Sequence, residues 1–364
     1  MSLRPRPEIE KIETCPHGGP DYAELASLGL ECERVLDFSV CCNPYPPPAA
    51  VRKSLRDAAI NRYPDSGATE FRQALYRSLG VPAANILAGS GTTELIRLIA
   101  LAYLDKGDKV LILKPTYGEY ELACQLAGAE IVEQRARERD GFWLSTEETA
   151  DLVKQHRPKG IFICNPNNPT GQYFSRAEVE TVLTGCEDSL LVLDEAYVTF
   201  VDRRWSSLGL IKQANVVILR SMTKDYSLAG LRLGYAIASE EIISTLRRVC
   251  PPWNVNAIAQ KAGTEALNAD GYLAECRDKL RRSQEYLVDR LRRLGMAPLP
   301  TKANFFLVKV GNGRAFRQAL LRRGILVRDC ASFGLPEYVR IAPRTMTECK
   351  KLVSAIKTMK DRRE

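Results

Sequence analysis

Four short apolar runs constrain this chain most. Residues 110–113 (VLIL) follow the turn signal Lys106-Gly107-Asp108, and residues 161–164 (IFIC) run into Asn165-Pro166. Residues 190–193 (LLVL) run into Asp194-Glu195, and residues 216–219 (VVIL) into Arg220-Ser221. A continuous apolar run bounded by turn residues suits a strand buried on both faces, the habit of parallel sheets. Helical patterns at 93–103, 117–127, 147–155 and 176–183 lie before and between them. Strands alternating with helices predict an α/β fold with a mostly parallel sheet in a large domain.

The last third has a different texture. An amphipathic stretch at about 256–294 precedes strand patterns at 304–309, 325–328 and 338–342, and a helical pattern starts at Met346. This predicts a small α+β domain, with Pro251-Pro252 as the joint. The expected division is an N-terminal segment, 1–50, joining the small domain to the active site, a large domain, 51–251, and a small C-terminal domain, 252–364.

Composition narrows the function classes. Hydrophobic residues make up 45% of the chain, enough for a sizeable core, yet no apolar run reaches the 18 or so residues of a membrane span. Residues 1–11 are charged and lack the apolar stretch of a secretory signal. The formal charge of +8 is spread along the chain apart from Lys357, Lys360, Arg362 and Arg363. No basic stripe interleaved with aromatics points to nucleic acid, whereas a diffuse positive field suits an anionic substrate. The eleven cysteines form no Cys-x-x-Cys pair, and His17 and His156 are the two histidines. Zinc therefore finds little to bind, and reduced thiols in a cytoplasmic protein are expected, with no metal.

Ligands of parallel sheets bind at the carboxyl ends of the strands. Three of the four predicted strand ends bear NPNNPTG (165–171), LDEAY (193–197, its Leu closing the strand) and SMTK (221–224). A carboxylate, an amide-bearing turn, a phenol and a lysine thus converge on one sheet edge. With RYPD (62–65), GLRLGY (230–235) and a late arginine in a strand, the set resembles the fold-type I pyridoxal-phosphate enzymes, in the subgroup of the histidinol-phosphate aminotransferases.

That resemblance implies roles residue by residue. Lys224 would carry the cofactor aldehyde and shuttle protons, Asp194 would pair with the pyridine nitrogen, and Asn168 and Tyr197 would bond its phenolic oxygen. Lys224, Asp194 and Tyr197 form the expected catalytic set. Tyr117 would stack on the ring. Gly91, Thr92 and Thr93, at a glycine-rich turn entering a helix, would hold the cofactor phosphate with Ser221 and Arg232. Tyr63 would reach the same phosphate across a homodimer interface. Arg340 would bind the substrate carboxylate through its planar fork, with Asn168 also contacting substrate, and Arg328 a second anion.

Further stretches resemble the L-threonine O-3-phosphate decarboxylases of cobalamin synthesis within this group. They are His17-Gly18-Gly19 with Asp37-Phe38-Ser39, Asn43-Pro44, residues 252–257 (PWNVNA) and residues 327–335 (VRDCASFGL). His17 and Gly18 join the expected substrate contacts on that resemblance. Those decarboxylases carry a stretch such as SANINP where this chain has SVCCNP (39–44), so Cys41 and Cys42 stand where the active-site loop begins. The resemblance implies decarboxylation of L-threonine O-3-phosphate to aminopropanol phosphate and carbon dioxide. The alternative is an aminotransferase for histidinol phosphate or an aromatic amino acid.

Overall fold

The computed structural model describes residues 3–361 except 11, 187 and 214. Arg362 and Arg363 of the basic C-terminal cluster, and Met1, Ser2 and Lys11 of the N-terminal stretch, lie outside the described residues. The strands are β1 (Leu36–Asp37), β2 (Ile86–Gly89), β3 (Lys109–Lys114), β4 (Glu130–Arg135), β5 (Gly160–Cys164), β6 (Leu190–Asp194), β7 (Val216–Ser221) and β8 (Gly234–Ile237). They are followed by β9 (Phe306–Lys309), β10 (Ile325–Leu326), β11 (Arg328–Asp329) and β12 (Tyr338–Ile341).

The four apolar runs are the centres of β3, β5, β6 and β7. The main sheet runs β2-β8-β7-β6-β5-β3-β4. Its pairings are parallel from β4 through β7, and β8 lies antiparallel to both β7 and β2. Alternate side chains feed two cores. Ile161, Ile163, Leu191, Leu193 and Ile218 enter one, and Phe162, Val192, Val217 and Leu219 enter the other. Each such buried side chain contributes roughly 1.5–3 kcal/mol of transfer free energy. Helices cover both faces, the three-layer solution for a sheet apolar on both sides.

Three strands have no counterpart among the apolar runs. β4 is an edge strand in which Glu130, Glu133 and Arg135 are exposed and Gln134 alone is buried, so it carries no continuous apolar run. β2 and β8 are four residues long and bear Gly89 and Gly234, which local pattern reads as turn. Gly234 is required by packing, because a Cβ there would lie 3.0 Å from the Thr92 nitrogen.

The second body holds the antiparallel sheet β11-β12-β9, the parallel pair β1-β10, and the helices Tyr272–Arg293, Gly313–Leu321 and Met346–Asp361. Its core gathers Phe38, Leu287, Leu291, Phe306, Val339, Ile341, Leu352 and Ile356. Three expectations are corrected here. The amphipathic stretch at 256–294 is two helices, Ala257–Leu267 and Tyr272–Arg293, because Asp270-Gly271 turns the chain and Gly271 takes a left-handed φ of +74°. The boundary at 251/252 lies too early. Helix Ala257–Leu267 packs on the helices Ala49–Ser54 and Thr69–Leu79, and Ala259, Ala262 and Ala266 belong to the large core. The passage into the small body occurs along Tyr272–Arg293, whose Tyr272 and Leu273 touch the large core and whose Leu287 and Leu291 enter the small one. Third, the strand expected at 325–328 is two strands, since the chain changes sheets at buried Val327.

Candidate active site

The order of the main sheet sends β4 to one side of β3 and β5 to the other. A crevice opens at such a switch point beyond the carboxyl ends of the strands. Here it is an inner cavity of about 70 Å³ that opens into a cleft of about 480 Å³. Lys224, Asn168, Tyr117, Tyr197, Thr93 and Arg232 line both.

Asp194, the last residue of β6, forms the floor. It is 3% exposed, and its Oδ2 accepts a 2.7 Å hydrogen bond from the phenol of Tyr120 while Oδ1 accepts from the Ala196 N–H at 2.9 Å. Burial pushes its carboxyl up to about 6, and those two donors hold it from rising further. A buried acid with a free face toward a cavity suits a protonated ring nitrogen. Lys224 lies in the short helix Met222–Asp225 at the end of β7. Its carbonyl accepts from the Asn43 N–H at 2.7 Å, and the Asn43 amide donates to the Asp225 carbonyl at 2.9 Å. Asn43 thus anchors the lysine turn to a segment about 180 residues away in sequence, a role with no local sequence signal.

One corner of the inner cavity is built for an anion. Gly91 has φ +80° and precedes helix Thr92–Tyr103, whose first turn has no side-chain cap. Free N–H groups and the positive end of the helix therefore face the cavity with the hydroxyls of Ser221 and Thr223 and the guanidinium of Arg232. A Cβ on Gly91 would lie 2.6 Å from Nη2 of Arg232. Arg232 itself takes φ +56°, a left-handed conformation that costs a non-glycine residue about 1–2 kcal/mol. Such strain concentrates at functional sites. Thr93 Oγ1 also meets the hydroxyl of Tyr117 at 3.0 Å, which fixes that ring beside the cavity. Burial pushes the Tyr117 phenol up to about 12, so it stays neutral.

The outer cleft has a wall assembled from distant segments. Arg340, in β12, donates to Asn168 Oδ1 and to the Ser39 carbonyl at 2.7 Å, and lies over the Phe305 ring at 5.2 Å. Its Nε is buried and finds no hydrogen-bond partner among the described residues. Arg328, in β11, is directly opposite Arg340 in the strand register. It donates to the carbonyls of His17 at 3.0 Å and Pro16 at 2.7 Å and to the Ser332 hydroxyl at 2.7 Å. Burial and the neighbouring Arg340 pull its guanidinium below the ordinary range. His17 faces the cleft, its Nε2 2.9 Å from Glu119 Oε1 and its ring tilted over Tyr117 at 5.7 Å. Gly18 lines the cleft beside it, and a Cβ there would lie 2.8 Å from the Ser39 carbonyl oxygen. Cys41 is buried in the wall, and burial pushes its thiol up to about 11, so it offers shape rather than charge. Cys42 does not line the cleft.

The structure therefore gathers Thr92, Thr93, Tyr117, Asn168, Asp194, Tyr197, Ser221, Lys224 and Arg232 around the inner cavity, with Gly91 at its edge. Arg340, Arg328, His17 and Gly18 line the outer cleft. Tyr63 does not line the cleft of its own chain. It is 74% exposed and stacks on Trp253 with ring centroids 4.2 Å apart. Sequence reasoning missed Tyr120, though it lies in the same PTYGEY segment as Tyr117, one helical turn on. It also missed Glu195, which forms a buried ion pair with Arg220 at 2.8 Å and braces the strand ends. Among the described residues no helix is long and apolar enough to cross a membrane.

Residues 33–356 match the protein-family profile described as aminotransferase class I and II. The histidinol-phosphate aminotransferase of Symbiobacterium thermophilum is 36% identical over 312 residues, 85% of each chain. That of Moorella thermoacetica is 35% identical over 361 residues, 97% of this chain and 92% of the relative. The crystal structure of histidinol-phosphate aminotransferase from Sinorhizobium meliloti in complex with pyridoxal-5'-phosphate superposes with a TM-score of 0.88 at 25% identity, over 99% of both chains. The structure of L-threonine-O-3-phosphate decarboxylase from Porphyromonas gingivalis gives 0.79 at 27% identity, over 90% of this chain and all of that one.

Proposed function

The chain belongs to the aminotransferase class I and II family, and from that premise we infer that it is a pyridoxal-phosphate enzyme acting on a small phosphorylated amino compound. The cavity fits this cofactor: a buried carboxylate for its ring nitrogen, a lysine for its aldehyde, and an uncapped helix start with two hydroxyls and an arginine for its phosphate. When bound, pyridoxal phosphate supplies an aldehyde and a ring that withdraws electrons from a bond broken at the substrate's Cα. Lys224 holds and returns the proton at Cα. Asp194 keeps the ring nitrogen protonated, and Tyr120 orients Asp194. Asn168 and Tyr197 would hold the cofactor's phenolic oxygen, and Tyr117 would lie against the ring.

One observation supports the substrate class: Arg328 and Arg340 are cross-strand neighbours. Like charges directly opposite in a sheet repel, so the pair suits a ligand that brings two anionic groups, or anions in turn, to one wall. Amino transfer from histidinol phosphate to a keto acid is the reading that the curated relatives favour. Arg340 then orients the keto acid carboxylate, and Arg328 with His17 the phosphate. The second reading, decarboxylation of L-threonine O-3-phosphate, is supported by the His17-Gly18-Gly19 segment, which Arg328 and Ser39 bind into the wall. The two reactions differ in which bond at Cα stands perpendicular to the ring, and the placement of the anionic anchors sets that. A homodimer, with Tyr63 serving the partner's site, accompanies either reading.

The test supplies purified holoenzyme with histidinol phosphate and 2-oxoglutarate, and separately with L-threonine O-3-phosphate and no keto acid. Glutamate formation in the first mixture, lost in Lys224→Ala, is the expected result. Sustained carbon dioxide release in the second, without glutamate in the first, replaces it with the decarboxylase reading.

A further inference from the structure

We propose that Cys15, His17 and Glu119 form a binding site for a zinc-class divalent cation at the mouth of the cleft. Their ligand atoms, a thiol sulfur, an imidazole nitrogen and a carboxylate oxygen, all lie within 4.8 Å of one another. Tetrahedral zinc with bonds of about 2.0–2.3 Å holds its ligand atoms roughly 3.3–3.8 Å apart, so sub-ångström side-chain shifts close the site. The mixed sulfur, nitrogen and oxygen set selects zinc over magnesium or calcium, which take oxygen.

The fold prepares this arrangement. Cys15 precedes a proline and is therefore biased to extended backbone, which helps residues 15 and 17 share a face. Arg328 grips the carbonyls of Pro16 and His17 and holds the segment against the cleft. Gly118 admits the thiol, since a Cβ there would lie 2.5 Å from Cys15 Sγ. Glu119 is a buried carboxylate, its side chain 5% exposed, at the start of helix Glu119–Leu126. Its Oε2 faces Arg97 at 3.2 Å, and its Oε1 faces His17. Arg97 can keep Oε2 while Oε1 takes the cation. The three ligands leave a fourth position open to the cleft.

Binding would pin the His17 ring to Glu119 and withdraw it from the substrate. Zinc should then inhibit in competition with the phosphorylated substrate, a consequence that rests on the function proposed above. The test titrates metal-free holoenzyme with zinc by equilibrium dialysis and calorimetry. One zinc per chain is expected, weakened at least ~10-fold in Cys15→Ser and in His17→Gln, unchanged in Cys42→Ser, and not displaced by excess magnesium. Cys15→Ser should keep its metal-free kcat and KM and lose inhibition by zinc. Absence of a stoichiometric site, or equal binding by the Cys15→Ser and His17→Gln variants, overturns the proposal. Zinc bound through these residues without inhibition upholds the site and overturns the placement of substrate phosphate at His17.

Discussion

The inner cavity and the outer wall of the cleft are built in opposite ways. The cavity floor rests on the carboxyl ends of β5, β6 and β7, where Asp194 and Ser221 close their strands and Asn168, Tyr197 and Lys224 follow in the adjoining turns. Its positions are set by sheet hydrogen bonds and by side chains with almost no exposure. The wall joins Pro16 and His17 to Arg328, Gly18 to Ser39, and Arg340 to Asn168, contacts that span about 20 to more than 300 residues. The floor fixes what chemistry is available. On the function proposed above, the wall selects the molecule that receives it.

The largest expected effect strikes the floor. Asp194→Asn should lower turnover on the order of 10³-fold with KM changed little, because it removes the charge that holds the ring nitrogen protonated. The same variant should stabilise the cofactor-free protein. The Asp194 carboxyl lies at about 6 when folded against an ordinary 3.8. Between those values the folded chain keeps a proton that the unfolded chain has lost, so stability falls as pH rises from about 4 to about 6 and stays lowered above. The gap corresponds to roughly 3 kcal/mol at neutral pH. Asp225, also buried and pushed up to about 6, contributes with the same sign, so the variant should reduce the slope of melting temperature against pH without abolishing it. An unchanged slope would show that the floor carries no such electrostatic load.

The wall should answer differently. Arg328→Gln should raise substrate KM about 10–100-fold, the worth of a charge-assisted pair, while leaving cofactor affinity within about twofold. An equal fall in cofactor affinity, read by dialysis against pyridoxal phosphate, would break the division between floor and wall. The smallest effect belongs to Tyr120→Phe. Loss of one donor to Asp194 should lower kcat about three- to tenfold and move the acid limb of its pH profile upward, since the carboxyl rises without that bond. An unmoved acid limb would make Tyr120 a packing residue only.

The floor was legible in the sequence because its residues sit in short motifs beside apolar runs. The wall was legible only in part. Arg340 and Arg328 were located, but their register as direct neighbours depends on a hairpin pairing that no local pattern gives. Asn43 stands out only through a resemblance and Tyr120 only as a neighbour of Tyr117, and neither role was legible because their partners, the Lys224 turn and Asp194, are distant in sequence. Counting cysteines and histidines discouraged a metal site, yet Cys15 and His17 meet Glu119 across about a hundred residues. The small-domain boundary was misplaced because a proline pair looks like a joint whether or not the next helix packs backward.

The pairing of β1 with β10 carries a consequence for how the protein is made. Leu36 is hydrogen-bonded beside Ile325, so the two ends of the chain share one body and the large sheet is inserted between them. On the ribosome the segment bearing His17, Gly18 and Ser39 emerges before the sheet but meets Arg328 and Arg340 only after it. The sheet and its floor can assemble while the early segment waits unlatched. On the function proposed above, a chain interrupted before residue 325 would retain Lys224 with no wall to choose its substrate, and completion of the last strands would confer selectivity.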